Sequence, residues 1–298
     1  MQTLAVWWRK HDRKIAPYLF VAPFFILFLI FSVYPVLYSF YLSFFKATGL
    51  GSRTFIGLGN YLDLFTDRRF IKSVINTTYY AAGSVFILSP LALLVALAFD
   101  SRVTDRLRNL YRVSYFVPVI TSAVVISMMF RMIFDEQYGL LNNFLAHLGV
   151  PAIPWLRSTR WAMPSVILLG IWIWLGINAL YFLAGLQNIP HELKEAAQID
   201  GASSWQVFVH VTVPILKPVI LFVVIQAIIG SYNLFAQPYL LTGGGPQDAT
   251  LTMTMYLYII GFRQFKLGYA SAIAYALVAI VLGLSLINLI LFRAFREE

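Results

Sequence analysis

The chain has 298 residues, of which 60% are hydrophobic and 12% charged, with a mean hydropathy of +0.76 and a formal net charge of +9. So few polar side chains cannot cover a water-facing surface of this size, which excludes ordinary soluble domains and makes the bilayer the solvent for most of the chain. The absence of cysteine excludes disulfides, a thiolate nucleophile and cysteine-based metal sites.

The chain opens on a basic stretch, Arg9 to Lys14, ahead of an apolar run. That run is too long for a signal peptide and no small-residue cleavage site follows it, so it is expected to remain as a membrane helix. Residues Leu4 to Trp8 are expected to form an interfacial turn, within a cytoplasmic N-terminal segment over 1–16. From there the stretches free of charge, or in one case holding a single lysine near its start, predict six spans, at 17–45, 73–99, 113–130, 161–186, 213–240 and 267–292. Each meets the roughly 18 to 20 residues that a helix needs to cross the hydrocarbon. The expected fold class is therefore all-α, an integral membrane protein of six transmembrane helices with one transmembrane domain over 17–298.

Lys and Arg divide with 12 of the 22 on the side of the N-terminus. The tight clusters Arg9 to Lys14 and Arg102 to Arg112 flank spans closely, which places both termini in the cytoplasm. The basic residues sit at span ends, so lipid headgroups rather than nucleic acid are the expected partners. Pro35, Pro90 and Pro118 fall inside spans and are read as kinks. The loops at 46–72, 131–160 and 241–266 hold turn-forming segments such as GLGNYLDLF, YGLLNNFL and TGGGPQDAT and are expected to be folded, on the outer side, where they can support a docking partner.

The loop at 187–212 stands apart because it is polar between two apolar spans. Asn188 and Pro190 give a helix start, with Glu192 and Glu195 expected in the first turn where the helix dipole favours them. Gly201 ends that helix, and Ser203 with Gln206 matches a capping box that opens a second one. Ala196, Ala197 and Ala202 leave little side chain on the tip, so another backbone can come close. The plain alternative is a surface hairpin that only joins two spans.

The residues Glu195, Ala196, Ala197, Asp200, Gly201, Ala202, Phe208 and Pro214 resemble the EAA loop of bacterial ABC importer permeases, the loop that docks into the ATPase subunit. Val211 and Val213 stand where the family prefers Ile and Leu. GLGNYLDLF at 57–65, Asn76-Thr77, YFVPVITSAV at 115–124, YGLLNNFL at 138–145, AGLQNIP at 184–190, LTGGGP at 241–246 and FKLGYASAIA at 265–274 are similar to the carbohydrate-uptake branch. The LTGGGP turn resembles the first permease of maltose-type and multiple-sugar systems. That resemblance implies the type I importer permease fold, in the bacterial cell (inner) membrane. It also implies a second homologous permease, two ATPase subunits that bind ATP and magnesium, and an extracytoplasmic solute-binding protein as partners, with Glu195 to Gly201 as the coupling helix.

What is missing agrees with this. No GxxxxGK[ST] phosphate loop occurs, so no ATP hydrolysis, enzyme activity or cofactor is expected of this chain by itself. The four histidines and the acids fall in loops or at span ends, without the intramembrane relay of an ion-coupled carrier. Near the middle of spans four and five, Trp172, Trp174, Gly176, Asn178, Gln226, Gly230, Ser231, Tyr232 and Asn233 are candidates to line a substrate path, with Phe235 and Gln237 further out. Flat rings and neutral amides suit a polyhydroxylated ligand, and Gly230 with Ser231 is expected to weaken the helix centre. Taken singly, each is better explained by packing between membrane helices. A permease for glycerol 3-phosphate or glycerophosphodiesters would want a cation near the path, which the interiors of spans four to six lack, leaving a partner permease to supply it. An ATP-independent carrier would leave the 187–212 loop without a purpose.

Overall fold

The computed structural model describes residues 16–49, 51–102 and 117–294. The N-terminal segment 1–15, the start of the third expected span and most of the basic 100–112 loop lie outside the described residues.

Among the described residues, five helices are long and apolar enough to cross a membrane, with a shorter apolar one beside them. In chain order they begin with α1 (Ala16–Leu42), which is followed by a two-stranded antiparallel hairpin, β1 (Phe45–Ala47) with β2 (Arg53–Phe55), and then a short helix α2 (Gly59–Thr66). The second long helix is α3 (Arg68–Asp100). Next come α4 (Ala123–Ile133), α5 (Leu140–His147) and the third long helix, α6 (Ala162–Gln187). The polar loop forms α7 (His191–Ile199), and α8 (Ser204–Tyr232) returns through the bundle. Two short helices, α9 (Ala236–Leu241) and α10 (Met253–Tyr258), precede the last long one, α11 (Leu267–Ala294).

Three expectations need correcting. The first span was expected to reach Phe45, but its helix stops at Leu42 and Phe45 opens a strand; three-residue strands carry too little alternation to be read from sequence. The third span was expected as one run to Phe130. Residues 117–120 are helical, the backbone breaks at Thr121 and Ser122, and α4 continues to Ile133. The fifth was expected over 213–240, whereas α8 starts nine residues earlier and ends at Tyr232. It ends because other groups take its last carbonyls: the Thr254 hydroxyl donates to Tyr232 O at 2.8 Å and the Asn233 amide to Ile229 O at 2.9 Å, while the Thr252 hydroxyl holds the adjoining Leu234 O at 2.7 Å.

The prolines act through the backbone register. A proline lacks the N–H of the helical ladder and crowds the carbonyl four residues back. Just before Pro35, Pro90 and Pro214 the helices widen into π turns at Leu29–Val33, Ser84–Leu88 and Phe208–Thr212. The N–H groups of Tyr34, Ser89 and Val213 then reach back five residues, to Leu29, Ser84 and Phe208.

Packing is closest where side chains are small. Ala92 and Ala96, one turn apart on α3, are fully buried among Ala179, Phe182 and Leu183 of α6 and Leu216 of α8. At the β-hairpin end a second cluster joins Leu64, Phe70, Tyr232, Met253, Tyr256 and Ile273. A Cβ on Gly268 would stand 1.9 Å from the Phe45 carbonyl oxygen. Gly268→Ala is therefore expected to destabilise the purified protein by about 1–3 kcal/mol, read as a lowered Tm in detergent, since backbone rather than a mobile side chain must yield.

The β-hairpin end is also tied by polar groups. Asp67 caps α3 by accepting from the N–H of Arg69 and Phe70, and its carboxylate takes the hydroxyls of Tyr256 and Tyr269. Burial pushes the Asp67 carboxyl up, but those tyrosine and backbone donors together outweigh it and hold it below the usual range. Because the folded-state value is depressed, this contribution is present above the ordinary carboxylate pKa of about 3.9 and is lost as pH falls through the lower folded value. Asp67→Ala is expected to cost about 1 kcal/mol near neutral pH and to reduce the acid sensitivity of thermal unfolding. Nearby, Arg69 holds Asp248 through two bonds at 2.7 and 2.8 Å, and the Asn76 amide donates to Asp248 O and Leu251 O. These fix a turn in which Gln247 and Asp248 both have positive φ.

Candidate functional site: a neutral cavity and an uncovered hairpin

A cavity of about 430 Å³ lies between α3, α6 and α8, with the segment leading into α9 as a further wall. Trp174, Asn178 and Tyr181 face it from α6 at i, i+4 and i+7, one stripe of the helix. Gln226, Gly230 and Ser231 come from α8, and Asn233 and Gln237 from the segment beyond. No Asp, Glu, Lys, Arg or His is among the lining residues.

The polar groups are partly committed to their own helices. Asn178 donates through Nδ2 to Trp174 O at 2.8 Å, Asn233 to Ile229 O, and the Ser231 hydroxyl to Ala227 O at 2.6 Å. The amide oxygens of Asn178 and Asn233 therefore remain as acceptors. The Gln226 and Gln237 amides make no hydrogen bond to the described residues, leaving donors as well as acceptors. A ligand with many hydroxyls meets both kinds of partner here, beside the Trp174 ring and the Tyr181 ring that packs on Phe222 at 5.2 Å.

Of the nine expected path residues, six line this cavity: Trp174, Asn178, Gln226, Gly230, Ser231 and Asn233. Three do not. Trp172 lies on another side of α6, against Phe130 of α4 at 5.4 Å. Gly176 is buried within the bundle. Tyr232 is 1% exposed in the core, its hydroxyl 2.8 Å from that of Thr78. Nor do Gly230 and Ser231 break a helix centre: they sit in the last turn of α8, whose backbone stays helical through Tyr232. Of the residues further out, Gln237 lines the cavity, while Phe235 stacks on Tyr239 at 5.0 Å. Tyr80 and Ser84 of α3 also line the cavity and were not foreseen; their i, i+4 spacing just before Pro90 was the available signal.

At the other end of α6 and α8 stands the hairpin. None of the residues of α7 is buried. Glu195, Ala196, Asp200 and Gly201 are exposed, Ala197 and Ala202 half-buried. Gly201 has φ +86°, with open space around the position of a Cβ. The chain then turns into α8 through the expected capping box, with the Ser203 side chain accepting from the Gln206 N–H and the Gln206 side chain accepting from the Ser203 N–H. The helix start differs in detail: only Glu192 lies in the first turn, and the Asn188 amide donates back to Ala184 O of α6 instead of capping α7. Ile199 is 86% and Trp205 69% exposed, and the Lys194 ammonium lies 3.6 Å from Asp100 at the end of α3. The hairpin is thus fixed to α3, α6 and α8 while its tip presents small and apolar side chains that no other described residue covers.

Residues 88–296 match the sequence profile of the binding-protein-dependent transport system inner membrane component family. The chain belongs to this family. It is a multi-pass inner-membrane transport component and not an enzyme. The permease is 39% identical over 295 residues to the arabinooligosaccharides transport system permease protein AraP of Bacillus subtilis, covering 98% of this chain and 93% of that one. It is 37% identical to the lactose transport system permease protein LacF of Rhizobium radiobacter, over 97% of each chain. With the trehalose/maltose transport system permease protein MalF of Thermococcus litoralis it shares 33% identity, over 93% of this chain and 92% of that one. A chain of a bacterial ABC transporter involved in the import of the acidic polysaccharide alginate superposes with a TM-score of 0.83 at 23% identity, covering 96% of the permease and 98% of that chain. The permease therefore has the ABC importer type I permease fold.

Proposed function

We propose that the permease carries neutral mono- or oligosaccharides inward as one half of a translocation path completed by a second, homologous permease. Two ATPase subunits hold ATP and magnesium at the hairpin end, which faces the cytoplasm with both termini. A solute-binding protein delivers the sugar at the β-hairpin end. The observation that carries this reading is the cavity: neutral amides with open donors and acceptors beside aromatic rings, without a charged lining residue. The arabinooligosaccharide, lactose and trehalose/maltose systems to which its relatives belong support the same class of cargo.

Glu195, Ala196, Ala197, Asp200, Gly201 and Ala202 transmit ATPase closure. The hairpin is continuous through α8 with Gln226, Gly230 and Ser231, so a push on α7 reaches the cavity along one helix and, through Lys194 and Asp100, along α3. A glycerol phosphate would bring its charge to a cavity with no cation to receive it. In proteoliposomes holding the importer purified with its native partners, unlabelled arabino-oligosaccharide, lactose or maltose should compete with labelled sugar, and glycerol 3-phosphate should not. Uptake of glycerol 3-phosphate in preference to every sugar would overturn the cargo reading.

A further inference from the structure

The segment 55–65, which neither the cavity nor the hairpin uses, has an apolar stripe that the described residues leave largely uncovered, the Phe55 ring meeting Phe45 along one edge at 5.2 Å. Phe55, Leu58, Leu62 and Phe65 are 69%, 61%, 65% and 79% exposed, and the last three recur at i, i+4 and i+7. The opposite side of α2 is firmly held. Asn60 is buried and donates through Nδ2 to Ser43 O at 2.7 Å and Phe45 O at 3.0 Å, Tyr61 donates to the Ser43 hydroxyl, and Leu64 enters the core cluster. The stripe is therefore turned outward by design of the buried side.

We propose that α2 is an interfacial anchor whose apolar stripe lies in the headgroup–acyl boundary of the membrane leaflet at the β-hairpin end. Two observations favour lipid as the occupant. The span that follows it directly in the chain is itself open on an apolar side near this end, where Ile71, Ile75 and Tyr79 are exposed along α3. The stripe is also flanked by exposed cations, Arg68 and Lys72, that make no ion pair among the described residues, and by Arg53, whose guanidinium lies over the Tyr38 ring near the end of α1. Cations and aromatic rings bordering an apolar face match lipid phosphates above and acyl chains below. Because Asn60 and Leu64 bind α2 to the end of α1 and to the core, the anchor sets the depth of the first span and fixes it relative to α11.

The absence of cysteine makes this directly measurable. Leu62→Cys, Phe65→Cys and Asp63→Cys, each spin-labelled in the full chain purified with its native partners, are placed in vesicles of phosphatidylethanolamine and phosphatidylglycerol, with the unmutated importer as blank. Oxygen, which concentrates in lipid, should exceed a water-soluble nickel chelate in collisions with the labels at 62 and 65 by about threefold relative to the label at 63. Equal access of the nickel chelate at all three sites would overturn the proposal by placing α2 in water. Exclusion of both probes at 62 and 65 would overturn it by placing a protein partner there instead.

Discussion

Gly201→Asp is expected to reduce sugar uptake to background while leaving membrane insertion and the amount of folded permease unchanged. Gly201 has φ +86°, a conformation that aspartate adopts at a cost of about 1–2 kcal/mol, small for a whole bundle. Nothing lies within 4 Å of the added Cβ, so the isolated fold offers no steric objection. What changes is the tip of α7: a second carboxylate appears beside Asp200, on a surface whose exposed Ile199 and Trp205 ask to be covered. Loss of uptake with normal insertion therefore reports a partner seated on this tip. Uptake and ATPase stimulation measured in the same proteoliposomes check it, and normal uptake by the variant would sink the coupling role of the hairpin.

The second large effect is expected inside the cavity. Gly230 lines it from the last turn of α8, and a Cβ there meets only open space. Gly230→Trp is compatible with the helical backbone, where replacing glycine removes a penalty of about 1 kcal/mol, yet its indole would occupy much of the space between Trp174, Asn178 and Gln226. Sugar uptake should fall about tenfold or more, with the Tm held and ATPase activity still present, because a pre-formed cleft filled by a side chain cannot admit its ligand. Uptake at the unmutated level would mean that cargo passes elsewhere. Tyr232→Phe, two residues away in sequence but buried against Thr78, is the contrasting case: it should lower the Tm by removing a hydrogen bond worth about 1 kcal/mol and leave the affinity for sugar unchanged.

The fold was legible where the signal was local or long. Charge-poor stretches located the long helices, and Ser203 with Gln206 predicted a capping box that the structure contains. What sequence could not supply was decided by distant partners. The apolar run after Tyr232 reads as more of the same span, yet Thr252 and Thr254, some twenty residues on, supply hydroxyls at the carbonyls where α8 ends. The kinks expected at Pro35 and Pro90 are π turns placed just before them, a register change that proline identity alone does not specify.

The cavity was half legible for a related reason. Composition near the middle of α6 and α8 pointed to neutral polar and aromatic side chains, but rotation about each helix axis decides which of them face inward. Trp172 and Trp174 are two positions apart and so fall on different sides of α6, one against Phe130 and one on the cavity. Applying the i, i+4, i+7 stripe through Trp174 and Asn178 would have added Tyr181 and dropped Trp172 and Gly176. Tyr80 and Ser84 come from α3, and only tertiary packing brings them to the site.

The most direct test is accumulation of labelled arabino-oligosaccharide in proteoliposomes that hold the importer purified with its native partners, with ATP supplied on the side of the ATPases. The proposal predicts accumulation that needs both ATP and the solute-binding protein and that disappears in Gly201→Asp. Accumulation by the permease alone, driven by a proton or sodium gradient and indifferent to that substitution, would contradict it.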